Sequence, residues 1–169
     1  ALTKPVSNYA LTKLESENHI KDYASNGIIN AISLRYFNPV ASHQDYVIYE
    51  DYAKSSNLMS IILQVAKKKI DSLKIYGNDY PTDDGTAERD FIHISDLIDG
   101  HFFALEKIGA LENYIEINLG TGVSVSVLEM VKAFKKVNNI EFKVDFAARR
   151  KGDVSINYAK VDKARDVLG

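Results

Sequence analysis

The segment "NYALTK", Asn8 to Lys13, sets a tyrosine and a lysine four positions apart. On a helix that interval stacks Tyr9 and Lys13 on one face, near enough for the ammonium to act on the phenol. A free phenol titrates near pH ~10 and is a poor base at neutral pH, whereas a neighbouring cation favours the phenolate. Such a pair can serve as a proton-transfer centre. Taken alone, a bare Y-x-x-x-K is more simply an exposed helix carrying two amphipathic side chains.

A second group, "RRKGD" from Arg149 to Asp153, compresses two guanidiniums and a carboxylate around a glycine. A planar guanidinium grips phosphate oxygens through a fork of donors, and an aspartate can hold a sugar hydroxyl. Taken alone, this is also a plain surface ion cluster. "GTG", Gly120 to Gly122, falls short of a dinucleotide loop: the third glycine of G-x-G-x-x-G would stand at Val125, and no acidic residue follows at the ribose-reading distance. It reads as a tight turn. The acidic cluster Asp83, Asp84, Glu88 and Asp90 lacks the order of a calcium loop and reads as a solvated turn. His19, His43, His93 and His101 have no H-E-x-x-H spacing, and cysteine is absent, so no metal site is expected and disulfides are excluded.

The elements that must position these residues follow from caps and periodicity. Ser7 can cap a helix running to about Ser25, with Asn26-Gly27 as its left-handed stop, which puts Tyr9 and Lys13 in the first turns. The apolar run Ile28 to Phe37 predicts a strand buried on both faces, ended by Asn38-Pro39. A polar, tyrosine-rich loop leads to a helix from about Ser56 to Ile70, followed by a short strand, Leu73 to Gly77, and a long turn-rich loop. Ser95 is the expected cap of the next helix, Tyr114 to Asn118 a strand, and Ser126 with Glu129 a capping box for a helix through about Val137. A strand from Ile140 to Phe146 and a short helix from near Asp162 complete the chain. Strands alternating with helices predict one α/β unit over residues 1–169, with no Pro/Gly/Ser-rich linker to divide it.

The net charge of -2 offers no basic field to recruit nucleic acid or an anionic membrane, so any anion must be bound locally. No apolar run reaches the ~18 residues that suggest a membrane span. The lack of cysteine suits a reducing, cytoplasmic location. The chain opens on Ala1 rather than methionine, directly at working-looking sequence, and is expected to be a fragment.

Several motifs stand together and in order: "YALTK", "LRYFNP", "NLM", "IYGNDYPTDDGTAERDFIHISDLIDGH", "INLGTG", "VLEMVKAF" and "RRKGD". In this the chain resembles the UDP-glucose 4-epimerases of the extended short-chain dehydrogenase/reductase family, over nearly its whole length. The combination of "RYFNP" with "YGNDYPTDDGT" and the following "RD-x-IH" is specific to these epimerases, whereas Y-x-x-x-K marks only the wider superfamily. The resemblance implies the C-terminal half of such an enzyme: the end of a Rossmann-type parallel sheet plus the smaller substrate-binding region. The glycine-rich NAD loop and the Ser/Thr partner of the tyrosine would lie upstream, so this half alone is expected to be inactive.

The resemblance further implies interconversion of UDP-glucose and UDP-galactose, in galactose metabolism, through a 4-keto sugar with bound NAD. Tyr9 would be the acid/base at the sugar 4-hydroxyl, and Lys13 would support it and hold the nicotinamide ribose. Phe37, Asn38, Asn57 and Leu58 would contact the UDP-sugar, and Arg89, Arg150 and Asp153 its diphosphate and ribose. Lys74 and Tyr76 would line the uracil pocket. Asn157 would border the sugar, where its modest size could admit an N-acetyl group. A homodimer is implied for the intact enzyme. The usual "FNPVGAH" reads "FNPVASH", with Ala41 for glycine, and "PNNLMP" reads "SSNLMS", with Ser56 and Ser60 as replacements. Three alternatives stay open: a UDP-N-acetylglucosamine or UDP-pentose 4-epimerase, a non-catalytic nucleotide-sugar-binding module, and a chance α/β domain, against which the joint motif match argues.

Overall fold

A computed structural model of the chain describes residues 5, 7–42, 50–110 and 113–169. The chain runs α1 (Asn8–Ser25), β1 (Ala31–Tyr36), β2 (Asn38–Val40), α2 (Leu58–Ala66), β3 (Ser72–Tyr76), β4 (Glu88–Arg89), β5 (Phe91–His93), α3 (Ile94–Lys107), β6 (Tyr114–Leu119), β7 (Val125–Ser126), α4 (Val127–Asn138), β8 (Lys143–Ala147), β9 (Ile156–Asn157) and α5 (Asp162–Leu168). Among the described residues four strand pairs are parallel, β1 with β6, β2 with β5, β3 with β8 and β4 with β9, and β4 with β7 is antiparallel. A small three-stranded sheet has the order β7-β4-β9.

The apolar residues collect in two clusters. One joins Ile117 and Leu119 of β6 to Leu97 and Ala104 of α3 and to Leu168 of α5. The other joins Ile62 and Val65 of α2, Leu73 and Ile75 of β3, and Val131 of α4. Burying side chains of this kind contributes roughly 1.5–3 kcal/mol each, so the clusters fix where β3 and β6 end and hence where the loops after them begin.

Local chemistry sets the boundaries. Ser7 caps α1 by accepting from the Ala10 amide at 3.2 Å, and Gly27 takes the left-handed conformation (φ 71°) that ends it. The carboxylate of Glu17 accepts from Arg35 Nε at 2.7 Å, which ties α1 to β1. The capping box of α4 is complete: Ser126 Oγ accepts from the Glu129 amide, and Glu129 Oε2 accepts from the Ser126 amide.

Several expectations need correction. The cap of α3 is His93, whose Nδ1 accepts from the Ser95 amide at 3.1 Å, so the ring takes the role assigned to the serine. The α2 helix begins after Asn57 and stops at Ala66, because Lys67 to Lys69 turn back onto Leu63, Val65 and Gln64 carbonyls. The apolar run from Ile28 forms a strand only from Ala31, and it is half-buried rather than enclosed. Asn38-Pro39 does not end pairing; both residues continue into β2 beside β5. The last long strand begins at Lys143, three residues later than expected. Of the tyrosine-rich loop, residues 43–49 lie outside the described residues, as do Ala1 and its three neighbours.

Ala41 carries φ 74°. A Cβ in the left-handed region costs roughly 1–2 kcal/mol, while glycine loses ~0.4–1 kcal/mol more chain entropy on folding. Ala41→Gly is therefore expected to stabilise the protein by about 0.5–1 kcal/mol. Urea unfolding of the full-length protein checks this, and an unchanged or lower midpoint would show that the position is unstrained.

Candidate functional site

Strand alternation begins the site. Along β3, Leu73 and Ile75 turn into the second cluster while Lys74 and Tyr76 face the other way. The parallel register sets Tyr76 opposite Ala147, and the Gly77 amide donates to the Ala147 carbonyl at 2.8 Å. Just past that point the chain delivers Arg149 and Arg150 beside the carboxyl end of β3. The guanidinium of Arg150 lies 4.1 Å from the centroid of the Tyr76 ring, a stacked cation–aromatic contact.

These residues open onto a cleft of about 440 Å³ lined by Leu58, Lys74, Tyr76, Arg89, Arg150 and Asp153, among others. Its apolar wall comes from Ile61, Leu73, Ile75 and Val127. Arg89 forms an ion pair with Asp153, and its Nη1 donates to the Glu88 carbonyl at 2.7 Å. Two planar guanidiniums, that of Arg89 already paired with Asp153, meet an apolar wall beside the Tyr76 ring, and guanidiniums so placed can hold an anion. An elongated ligand with a phosphate centre and a planar ring suits that geometry.

The other expected residues do not line this cleft. Asn57 is the N-cap of α2, but its Nδ2 donates to Glu50 Oε1 at 2.8 Å instead of capping. Ser60, buried, donates to the other oxygen of Glu50 at 2.7 Å, so one carboxylate fixes both the asparagine and the serine that replaces proline. Hydrogen bonds from Ser55, Ser60 and Asn57 hold the Glu50 carboxyl below its ordinary range. Phe37 and Asn38 follow β1, with the Asn38 amide donating to the Asp90 carbonyl at 2.9 Å. Asn157 lies exposed on β9, in register with Arg89.

Tyr9 and Lys13 share the outer face of α1. Tyr9 is 73% exposed, and Lys13 Nζ lies 5.5 Å from its ring centroid. Neither belongs to the cleft lining, so the structure realises the helical stacking of the pair but does not bring it to the arginines. Among the described residues, no three His, Asp or Glu side chains converge on a possible metal position, and no helix is long and apolar enough to cross a membrane.

The residue that sequence reasoning misjudged is Asp90. It is fully buried rather than part of a solvated turn. Its Oδ1 accepts from the Thr121 amide (2.8 Å) and hydroxyl (2.7 Å), and its Oδ2 accepts from the amides of Gly122 (3.0 Å) and Ala159 (3.1 Å). "GTG" is thus a tight turn, as expected, and its donors are aimed at this internal carboxylate. A Cβ on Gly120 would meet Asp90 Oδ2 at 2.5 Å, which explains that glycine. Burial opposes the charge of Asp90, but the donors of Thr121, Ala159 and Gly122 outweigh it and hold the carboxyl below the usual range. No local sequence signal marks it, because its donors come from residues 121, 122 and 159.

Comparison with known proteins fits this arrangement. The profile of the NAD dependent epimerase/dehydratase family matches residues 1–120. The chain is 45% identical over 163 residues to UDP-glucose 4-epimerase of Bacillus subtilis (strain 168), an alignment that takes in 95% of this chain and 48% of that protein. Its fold superposes, with a TM-score of 0.93 and 37% identity, on UDP-glucose 4-epimerase from Stenotrophomonas maltophila with bound NAD and formylated UDP-arabinopyranose, covering 99% of this chain and 51% of that one. The enzyme from Bifidobacterium longum in complex with NAD+ and UDP gives a TM-score of 0.92 at 34% identity, covering 99% and 50%. The chain spans about half the length of the relatives it matches. From its profile match, and from this likeness across almost every described residue, the chain belongs to the NAD dependent epimerase/dehydratase family.

Proposed function

We propose that the full-length protein interconverts UDP-glucose and UDP-galactose with NAD as cofactor, and that this chain supplies the UDP-sugar cleft and the acid/base pair. The observation that carries the reading is the cleft in which Arg89, Arg150, Lys74 and Tyr76 meet, in a chain whose relatives are UDP-glucose 4-epimerases. Arg89 and Arg150 hold the diphosphate, Asp153 accepts from a ribose hydroxyl, and Lys74 and Tyr76 border the base. Leu58 closes the apolar side, with Phe37, Asn38 and Asn57 at the sugar and phosphate end. A further half of the protein, corresponding to the part of its relatives that this chain does not span, completes the cofactor site.

Tyr9 and Lys13 fit a dinucleotide's ribose: both are exposed on one helix face and together offer a phenol and an ammonium to its hydroxyls. When bound, NAD supplies the reversible two-electron chemistry at the sugar's carbon 4. Tyr9 accepts the proton of the 4-hydroxyl and returns it to the same oxygen after the sugar has turned over, so one phenol serves as base and acid. Lys13, stacked beside Tyr9 on the same helix face, holds the ribose.

Arg150→Ala in the full-length protein is expected to weaken UDP binding more than tenfold, since a charge-assisted contact contributes on the order of 2 kcal/mol. Calorimetric titration of UDP tests this directly. Unchanged affinity would return "RRKGD" to a surface ion cluster.

Asn157 is proposed to border the sugar and to tolerate a 2-acetamido group, with UDP-galactose preferred over UDP-N-acetylgalactosamine. Pocket size discriminates by roughly 1–3 kcal/mol. Asn157→Tyr should selectively depress kcat/KM for the N-acetylated substrate, and an unchanged ratio between the two substrates would remove this residue from the sugar site.

A further inference from the structure

Arg149 and Arg150 are neighbours in sequence, and each stacks on a tyrosine, but only Arg150 lines the cleft. The Arg149 guanidinium lies 4.3 Å from the centroid of the Tyr80 ring. Its Nε donates to Asp79 Oδ1 at 2.7 Å and its Nη2 donates to the Asp79 carbonyl at 2.5 Å. Both the flat face and the fork of Arg149 are thus committed to the loop that follows β3.

That loop is a firm anchor. Tyr80 is only 5% exposed, and its amide donates to the Gly85 carbonyl at 2.9 Å. Gly77 has φ 87°, and a Cβ there would collide with the Tyr80 ring and press on Arg149 Cγ at 3.0 Å. The opposite end of the Arg149 segment is fastened as well. Asp153 pairs with Arg89, and the Asp153 amide donates to the Arg150 carbonyl at 3.2 Å across a turn that Gly152 permits with φ 81°. Residues 149–153 therefore form a strap with two fixed feet, and Arg150 lies between them.

We infer that Arg149 is a positioning residue: its clamp on Asp79 and Tyr80 sets Arg150 and Asp153 in place before the nucleotide arrives. This rests on the nucleotide-sugar reading of the cleft. The clamp is an exposed ion pair, with side chains 44% and 68% accessible, and such pairs add little to global stability. Its effect falls on the ordering of the strap. Ordering one long side chain only on binding weakens affinity by about three- to tenfold. The hydroxyl of Tyr80 is buried with no hydrogen-bond partner among the described residues, so the ring alone carries its part of the clamp.

The test is UDP titration of the full-length protein, alongside thermal unfolding, for wild type, Arg149→Ala, Asp79→Ala, the double variant and Tyr80→Phe. Each alanine variant should bind UDP about three- to tenfold more weakly, with the double variant no weaker than the weaker single, because both remove one clamp. Tyr80→Phe should bind as wild type, and unfolding midpoints should not move. On UDP-galactose, KM should rise with kcat unchanged. Full affinity in Arg149→Ala, with binding lost in Arg150→Ala, would overturn this inference and leave the cleft assignment standing. Additive losses in the double variant, or losses that track lowered unfolding midpoints, would also overturn it. A wild-type protein that does not bind UDP would overturn both.

Discussion

Tyr9→Phe is expected to lower turnover on UDP-galactose by about two to four orders of magnitude, the range that a positioned acid/base supplies. The substitution removes one oxygen. Because the ring is 73% exposed on α1 and belongs to neither apolar cluster, the fold should not register the change. UDP affinity should also persist, since Tyr9 does not line the cleft that holds Arg89 and Arg150. The expected signature is therefore a collapse of kcat with UDP binding and NAD content retained, measured in steady state and by titration. Turnover within a few fold of wild type would remove Tyr9 from the reaction and leave the helix as an exposed amphipathic one.

Asp90→Ala is expected to destabilise the full-length protein by about 3–5 kcal/mol. The buried amide of Ala159 and the part-buried amides of Thr121 and Gly122 would each lose their acceptor, and a buried donor such as that of Ala159 costs ~1–3 kcal/mol when left without a partner. The loss should reach the site, because the Asp90 backbone also joins Asn38 to Asn157: it accepts from the Asn38 amide and donates to the Asn157 carbonyl at 3.0 Å. A pH dependence follows with a definite sign. The folded carboxyl titrates below its ordinary value of ~3.9, so its contribution is fully present above that value and is lost as pH falls through the lower, folded one. Urea unfolding at neutral pH and along an acid series measures both effects. A midpoint equal to wild type at neutral pH, or the same acid slope in Asp90→Asn, would show that the carboxylate does not pin these segments.

Where a single residue or a short period determines structure, the sequence was readable. Ser7, Asn26-Gly27 and the Ser126–Glu129 box marked helix ends correctly, because a cap is a contact within a few positions. The short strand Leu73 to Gly77 was likewise legible, displaced by one residue from the observed Ser72–Tyr76. Leu58, Lys74, Tyr76, Arg89, Arg150 and Asp153 were named from motifs, and they line one cleft. What remained hidden depends on long-range partners. Asp90 looked like one more charge in an acidic turn, since its donors lie 31 to 69 positions away. The Arg149 clamp spans 70 positions, and nothing near Arg149 distinguishes it from Arg150. The two-residue strands β4, β7 and β9 were also illegible, because they are too short to show a period and exist only through one another.

The most direct test of the account is to incubate the full-length protein with UDP-galactose and separate the products. UDP-glucose is the expected product, formed until the two sugars reach a fixed ratio that is the same when UDP-glucose is the starting material. A folded, NAD-loaded protein that binds UDP but leaves UDP-galactose unchanged would contradict it, and would leave this chain as a nucleotide-sugar-binding module.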